Sequence, residues 1–284
     1  MTVGGFERST TSIFDLDLGL TASSEKTFIS RQYSRYPFHI CKPLYTDDLP
    51  QGMATIYLQS SAGGIFAGDK LNVRLCAEPR TATHLTSQAS TVVHRMRNSS
   101  AEVDFLITVK DDAFLEYLPD PLILFPESNM TSRLRLRISQ SSTVLLSDSY
   151  LIHDPYGNRS FFSRLNNETM VTDHDGVLLC RDRNTVSGSG FSDGEIGVMG
   201  SKSAIGTFYF LRPASDPDRI CEILRSVEPL PKELYFGVST LPNHVGAWAR
   251  IIAPDATNLR EALTRLWQVA RTDITGRKPL KRRK

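Results

Sequence analysis

Arg133-Leu134-Arg135-Leu136-Arg137-Ile138 alternates a cation with a branched apolar residue at every step. Successive side chains of an extended chain point to opposite faces, so this stretch reads as a strand that buries Leu134, Leu136 and Ile138 and turns three arginines to water. The same period governs Val103, Phe105, Ile107 and Val109 and, in a shorter run, Leu71, Val73 and Leu75. It dominates from about residue 50 to 185, interrupted by turn residues at intervals of about ten positions. A mainly β protein follows. Periodicity alone leaves a sandwich, a barrel and a β-solenoid open.

Working outward, two segments change period and predict helices. Residues 258–271 place Leu259, Ala262, Leu263, Leu266, Trp267 and Ala270 on one stripe, with Asn258 positioned as the cap. The other opens at Asp216-Pro217, an acid that can cap followed by a proline suited to the first turn, and runs through Ile220, Ile223 and Leu224. Trp267 on such a stripe reads as core. Residues 187–206 carry Gly188, Gly190, Gly194, Gly197, Gly200 and Gly206 and read as a flexible loop. No repeat of fixed period and no proline-rich linker divides the chain, so residues 1–277 are expected to form one domain.

The net charge is +2, but Lys278, Lys281, Arg282, Arg283 and Lys284 supply five cations within the last seven residues, leaving −3 on the rest. Residues 278–284 are therefore expected to be a solvated, disordered tail. With the basic residues confined there, no nucleic-acid interface is expected. The 40% hydrophobic and 23% charged composition is that of a globular protein. No apolar run approaches the roughly 18 residues of a membrane span, and Met1 to Arg8 lack a secretory pattern, so a cytoplasmic protein without membrane contact is expected.

Chemistry-bearing patterns are sparse. Cys41, Cys76, Cys180 and Cys221 form no C-x-x-C pair and read as small buried hydrophobes. The six histidines show no paired spacing, and no stable metal site or tightly bound cofactor is expected. Ser60 to Asp69 holds three glycines in six residues but lacks the Gly-Lys-Ser/Thr ending of a phosphate loop, so it reads as a sharp turn ending in the carboxylate of Asp69. In Leu115-Glu116-Tyr117-Leu118-Pro119-Asp120-Pro121 two acids flank a proline-fixed bend, a pattern open to acid–base chemistry, to oxygen ligation or to a plain turn. Asp148 follows the apolar run Val144, Leu145, Leu146, where an acid is costly unless paired or functional.

Three segments in order resemble the UreD (UreH) family of urease accessory proteins. They are Ala62-Gly63-Gly64-Ile65-Phe66-Ala67-Gly68-Asp69, then Leu85-Thr86-Ser87-Gln88-Ala89-Ser90-Thr91-Val92-Val93-His94-Arg95, then Phe114 to Pro126 around Glu116 and Pro119. The resemblance marks Gly63, Gly64, Gly68, Thr86, Arg95, Pro119 and Arg159 as motif positions. Departures are Val92 and His94, where the family often has Lys and Tyr, an Asp154-to-Ser160 segment without the following Gly-Glu, and the basic ending in place of Pro-Arg-x-Trp.

What the resemblance implies is a right-handed β-helix-like scaffold with about two helices, one near the C-terminus, and no catalysis of its own. It implies partnership with apo-urease, with the F-type accessory protein and, through it, with the G-type GTPase. Ni2+ would be transient cargo, passing through an internal path on its way into urease. Asp69 and Asp148, then Asp182 and Glu116, are the acids expected to line that path. Two other readings stay open: an adaptor that binds an acidic partner through its basic tail, and a carbohydrate-active β-solenoid using Glu116 and Asp120.

Overall fold

Leu134, Leu136 and Ile138 are buried as the alternation requires, while the arginines between them lie on the outer face of a strand. There Arg133 pairs with Glu102 and Asp104 and Arg135 with Asp104 across the neighbouring strand, a charge ladder that solvates one side of the sheet. The computed structural model describes residues 14–47, 49–158, 160–192, 199–227, 230, 233–280 and 282. Strands take up 47% of the chain.

In chain order the strands begin with β1 (Leu16–Ala22), β2 (Thr27–Ser34), β3 (Phe38–Ile40), β4 (Ala54–Ser60), β5 (Lys70–Ala77) and β6 (Ala82–Ser87). They continue with β7 (Thr91–Val93), β8 (Ala101–Val109), β9 (Phe114–Tyr117), β10 (Leu122–Leu124), β11 (Asn129–Ile138), β12 (Thr143–Ile152) and β13 (Arg164–Thr172). After β14 (Leu178–Ser187) come α1 (Ser189–Ser192), β15 (Ala204–Leu211), α2 (Pro217–Arg225), β16 (Tyr235–Thr240), β17 (Gly246–Ala253) and α3 (Ala256–Thr275).

Parallel pairing settles what periodicity left open. One sheet runs β14-β13-β11-β8-β5-β1-β2 and the other β16-β17-β15-β12-β9-β6-β4-β3, with β7 and β10 forming a short third side. The chain visits the sheets alternately (β5 then β6, β8 then β9, β11 then β12), winding a β-solenoid of about four turns. Lys70 stands opposite Glu102, Phe114 opposite Thr143, and Asn129 opposite Arg164, so successive turns take 32, 29 and 35 residues. The unequal turn lengths are why no fixed period marks the sequence.

The two sheets face each other over a core that includes Leu18, Leu75, Leu85, Leu115 and Leu136. A second core joins the outer face of the β15 sheet to α2 and α3 through Phe208, Phe210, Leu224, Leu259 and Leu266. Each such side chain, fully buried, contributes about 1.5–3 kcal/mol over its exposed state. Covered on both faces, β15 is buried at every position. Gly206 permits the contact, because a Cβ there would lie 2.7 Å from Leu259 Cδ1.

Both expected helices form, with one change at a cap. Asp255, not Asn258, caps α3, its carboxylate accepting the Asn258 N–H at 2.8 Å. Asp216 caps α2 as expected, and Gly276 in the left-handed conformation ends α3. The glycine-rich segment contains the end of β14, the short α1 and the start of β15, while residues 193–198 lie outside the described residues. The tail differs from its solvated expectation at two positions. Leu280 N donates to Asp47 Oδ1 at 3.1 Å, and Arg282 lies over the Trp267 ring at 4.8 Å. An arginine stem can cover apolar surface while its head finds polar partners, here Leu118 O at 3.1 Å and Thr86 Oγ1 at 3.2 Å.

Candidate functional site

The sheets do not fill the space between them. A cavity of ≈ 160 Å³ remains, walled by Leu58, Phe105, Tyr117 and Leu134 and becoming polar at Asp120, Ser147, Asp148, Asn167 and Thr169. A smaller space of ≈ 10 Å³ adjoins it, sharing Asp148, Asn167 and Thr169 and adding Asp182, Asn184, Thr207 and Arg250.

Register builds this polar end. Asp148 on β12 stands opposite Thr207 on β15, and Thr207 stands opposite Arg250 on β17, so three polar residues form one row across one sheet. On the facing sheet Asn167 pairs with Asn184 and Thr169 with Asp182 between β13 and β14. Side chains join the two rows. Asn167 donates to Asp148 Oδ2, and Asp182 Oδ2 accepts from Tyr209 Oη and from Arg250 Nη2, each at 2.6 Å. Asn184 donates to Tyr150 Oη at 3.2 Å.

Burial pushes the Asp148 carboxyl up to about 6 from 3.8, helped by the negative charge of Asp182 and opposed by Asn167 and Arg250. Asp148 sits deep in the molecule, and the surface it retains faces the cavity. Burial likewise raises the Tyr209 and Tyr150 hydroxyls, which stay protonated and act as donors or neutral oxygens. The result is a set of carboxylate, amide and hydroxyl oxygens with one guanidinium. Such hard oxygens suit a divalent cation held weakly with water. Among the described residues no three His, Cys, Asp or Glu side chains gather as a ligand set.

Of the acids singled out from sequence, the fold thus unites Asp148 and Asp182. Glu116 is elsewhere, on the opposite face of the same sheet under α3, with no solvent exposure. Its carboxylate accepts from Arg271 Nε at 2.5 Å and Nη2 at 2.6 Å, from Trp267 Nε1 at 2.8 Å and from His84 Nδ1 at 2.5 Å. Burial alone would raise its pKa, but Arg271 and His84 outweigh that and hold it down at about 2. Burial lowers the pKa of His84, so the imidazole is neutral, donates through Nδ1 and leaves Nε2 without a partner. The His84–Glu116 contact is a hydrogen bond, not an ion pair.

Asp69 closes the glycine turn, accepting the Phe66 N–H at 2.8 Å, and does not itself line the cavity that Gly64, Ile65 and Leu71 border. Gly64, at φ +143°, passes so close to Val92 O that an added Cβ would lie 2.2 Å from it. Gly63 O accepts from His94 Nε2 at 3.0 Å, and Gly68 takes φ +84° at the turn's end. Thr86 is buried, with its hydroxyl donating to Leu118 O at 2.7 Å. Arg95 pairs with Glu127 on the surface, and Pro119 lines the cavity beside Asp120. Arg159 lies outside the described residues. The four cysteines are free, two buried and two half-buried.

Several members of both clusters went unread in the sequence. Arg271 follows Trp267 by four positions on the apolar stripe of α3, and a cation there signals a buried partner. Asn167, Thr169 and Arg250 carry no local signal, because only the pairing of distant strands brings them together. No helix among the described residues is long and apolar enough to cross a membrane.

Comparison with known proteins agrees with the resemblance carried by the three ordered segments. Residues 14–284 match the UreD urease accessory protein family. The chain is 35% identical over 263 residues to a urease accessory protein UreD 1 of Pseudomonas syringae pv. syringae, covering 93% of this chain and 92% of that one. It is 33% identical over 258 residues to a UreD 1 of Methylorubrum populi, covering 91% and 87%, and 26% identical over 264 residues to a UreD 2 of Brucella suis biovar 1, covering 92% and 87%. The chain belongs to the UreD family of urease accessory proteins.

Proposed function

We propose that this protein is a non-enzymatic scaffold of urease maturation, cytoplasmic and without a tightly bound cofactor, whose interior passes Ni2+ as cargo. In this reading it binds apo-urease and the F-type accessory protein, and through the latter the G-type GTPase, so that nickel insertion follows GTP hydrolysis. One observation carries the conduit: the inter-sheet cavity ends among Asp148, Asp182 and a set of amide and hydroxyl oxygens. Carboxylates and water hold a divalent ion loosely enough to release it, whereas a thiolate or imidazole cage would retain it. Family membership supports the maturation role.

The rival readings find less support. Glu116, clamped by Arg271 and held at about 2, is a poor proton donor or acceptor at neutral pH, which weakens the carbohydrate-active alternative. Arg282 is folded against Trp267, which weakens an adaptor role resting on a free basic tail. The test is deletion and restoration of this gene in cells carrying the urease operon. Loss of urease activity with nickel-free urease accumulating supports the proposal. Unchanged activity, with no second copy compensating, refutes it.

A further inference from the structure

We propose that Arg250 is the resident counter-cation of the cavity's polar end, an exchangeable guanidinium that holds Asp182 until a divalent cation takes its place. The inference rests on the reading that the interior carries Ni2+ and assigns the residue that regulates its passage.

Arg271 and Arg250 each pair with a carboxylate of one of the two facing sheets, and they are held very differently. Arg271 has no exposure and spends its nitrogens on Glu116 twice, on Leu49 O and on Asp47. Arg250 makes one ion pair, Nη2 to Asp182 Oδ2 at 2.6 Å, and lies 4.4 Å over the Trp248 ring. Its Nε is buried without a hydrogen-bond partner, and its side chain is 35% exposed. Arg271 is fixed. Arg250 can turn outward at the loss of one charge-assisted hydrogen bond and its contact with the Trp248 ring, and doing so relieves an unsatisfied buried N–H.

Charge and space favour that exchange. Asp148 and Asp182 together balance one divalent cation, but only when Arg250 has left; with it in place a net positive charge would be trapped. Asp182 Oδ2 accepts from both Arg250 and Tyr209, so departure of the guanidinium leaves it held by Tyr209 with room to accept a ligand. The ≈ 10 Å³ beside these groups is about the room of one water, and vacating it makes space for an ion. A second space abutting the cavity, behind Asp120 and Ser147, is lined by Arg260 and Arg282, whose charges disfavour a cation. In this proposal the divalent ion leaves the cavity past Arg250.

The test is isothermal titration of the purified full-length protein with NiCl2. Arg250→Gln is expected to bind Ni2+ at least about tenfold tighter than the parent, since a charge repelling the ion at short range has been removed. Arg250→Lys restores the parent affinity, and Arg250→Gln combined with Asp182→Asn loses the gain. In cells, Arg250→Gln should lower urease activation because cargo is retained, and Arg250→Lys should not. Equal or weaker binding by a folded Arg250→Gln variant overturns the proposal. Should that variant not fold, a crystal of the parent soaked in NiCl2 decides: Ni2+ on Asp182 with Arg250 turned to solvent supports it, and an intact Arg250–Asp182 pair overturns it. The conduit reading fails separately, if Asp148→Asn and Asp182→Asn leave urease nickel content unchanged.

Discussion

Glu116 and Arg271 lie 155 positions apart and meet through two hydrogen bonds, 2.5 and 2.6 Å, with neither side chain exposed. The pair pins the last helix to the middle of the solenoid, since Glu116 belongs to β9 and Arg271 to α3. Taking Arg271 away leaves Glu116 buried without its counter-charge, and taking Glu116 away leaves the buried Arg271 with Asp47 at 3.4 Å as its carboxylate partner. Arg271→Met is therefore expected to lower stability by about 3–5 kcal/mol, and Glu116→Gln by a similar amount. Denaturant unfolding measures both, and a loss below 1 kcal/mol would show that the cluster is not what holds α3.

Acid should undo the same cluster. The Glu116 carboxyl is held at about 2 against an ordinary 4.5, so its contribution is complete above 4.5 and is lost as pH falls towards 2. His84, lowered from 6.5 by burial, adds a loss in the same direction once pH drops below 6.5. Melting temperature followed from pH 7 to 3 should fall more steeply in the parent than in Glu116→Gln.

Asp148 has the opposite sign. Its carboxyl is raised from 3.8 to about 6, so the stability it contributes is present below 3.8 and lost as pH rises through 6. Asp148→Asn should match the parent near pH 4 and exceed it at pH 8 by about 1–3 kcal/mol. A parent that is more stable than Asp148→Asn at pH 8 would contradict this. The cost borne by the native acid at neutral pH is that expected of a group kept for function.

Adjacent glycines in the first motif should behave differently. Gly64→Ala places a methyl 2.2 Å from Val92 O at a φ of +143° and is expected to cost more than about 2 kcal/mol, whereas Gly63 has nothing within 4 Å and should tolerate alanine. Thermal melts of the two variants separate a close backbone approach from general glycine flexibility.

Removal of residues 278–284 strips Arg282 from the Trp267 face and Leu280 from Asp47. A cation–π contact with three partly exposed hydrogen bonds predicts a loss of about 1–3 kcal/mol. An unchanged melting temperature would mean that the tail contributes nothing to the fold.

Much of the fold was legible because its causes are local. Strict alternation at Arg133 to Ile138 and the stripe from Leu259 to Ala270 each carry their own period, and both formed. The winding was not legible from period, because turns of 29 to 35 residues leave no constant repeat, and came instead from the resemblance of three segments. Asp148 announced itself as an acid at the end of an apolar run. Asp182 was picked out as well, yet its neighbours Tyr209 and Arg250 come from β15 and β17, and nothing near them in sequence points to an acid 27 or 68 residues away. The cap of α3 fell three residues earlier than expected because Asp255 competes with Asn258 and wins by bonding it.

The most direct test of the central claim is the nickel content of urease purified from cells in which Asp148 and Asp182 are both replaced by asparagine, with assembly of the accessory complex checked alongside. The conduit account predicts an intact complex and urease largely empty of nickel. Urease filled to the parent level would contradict it.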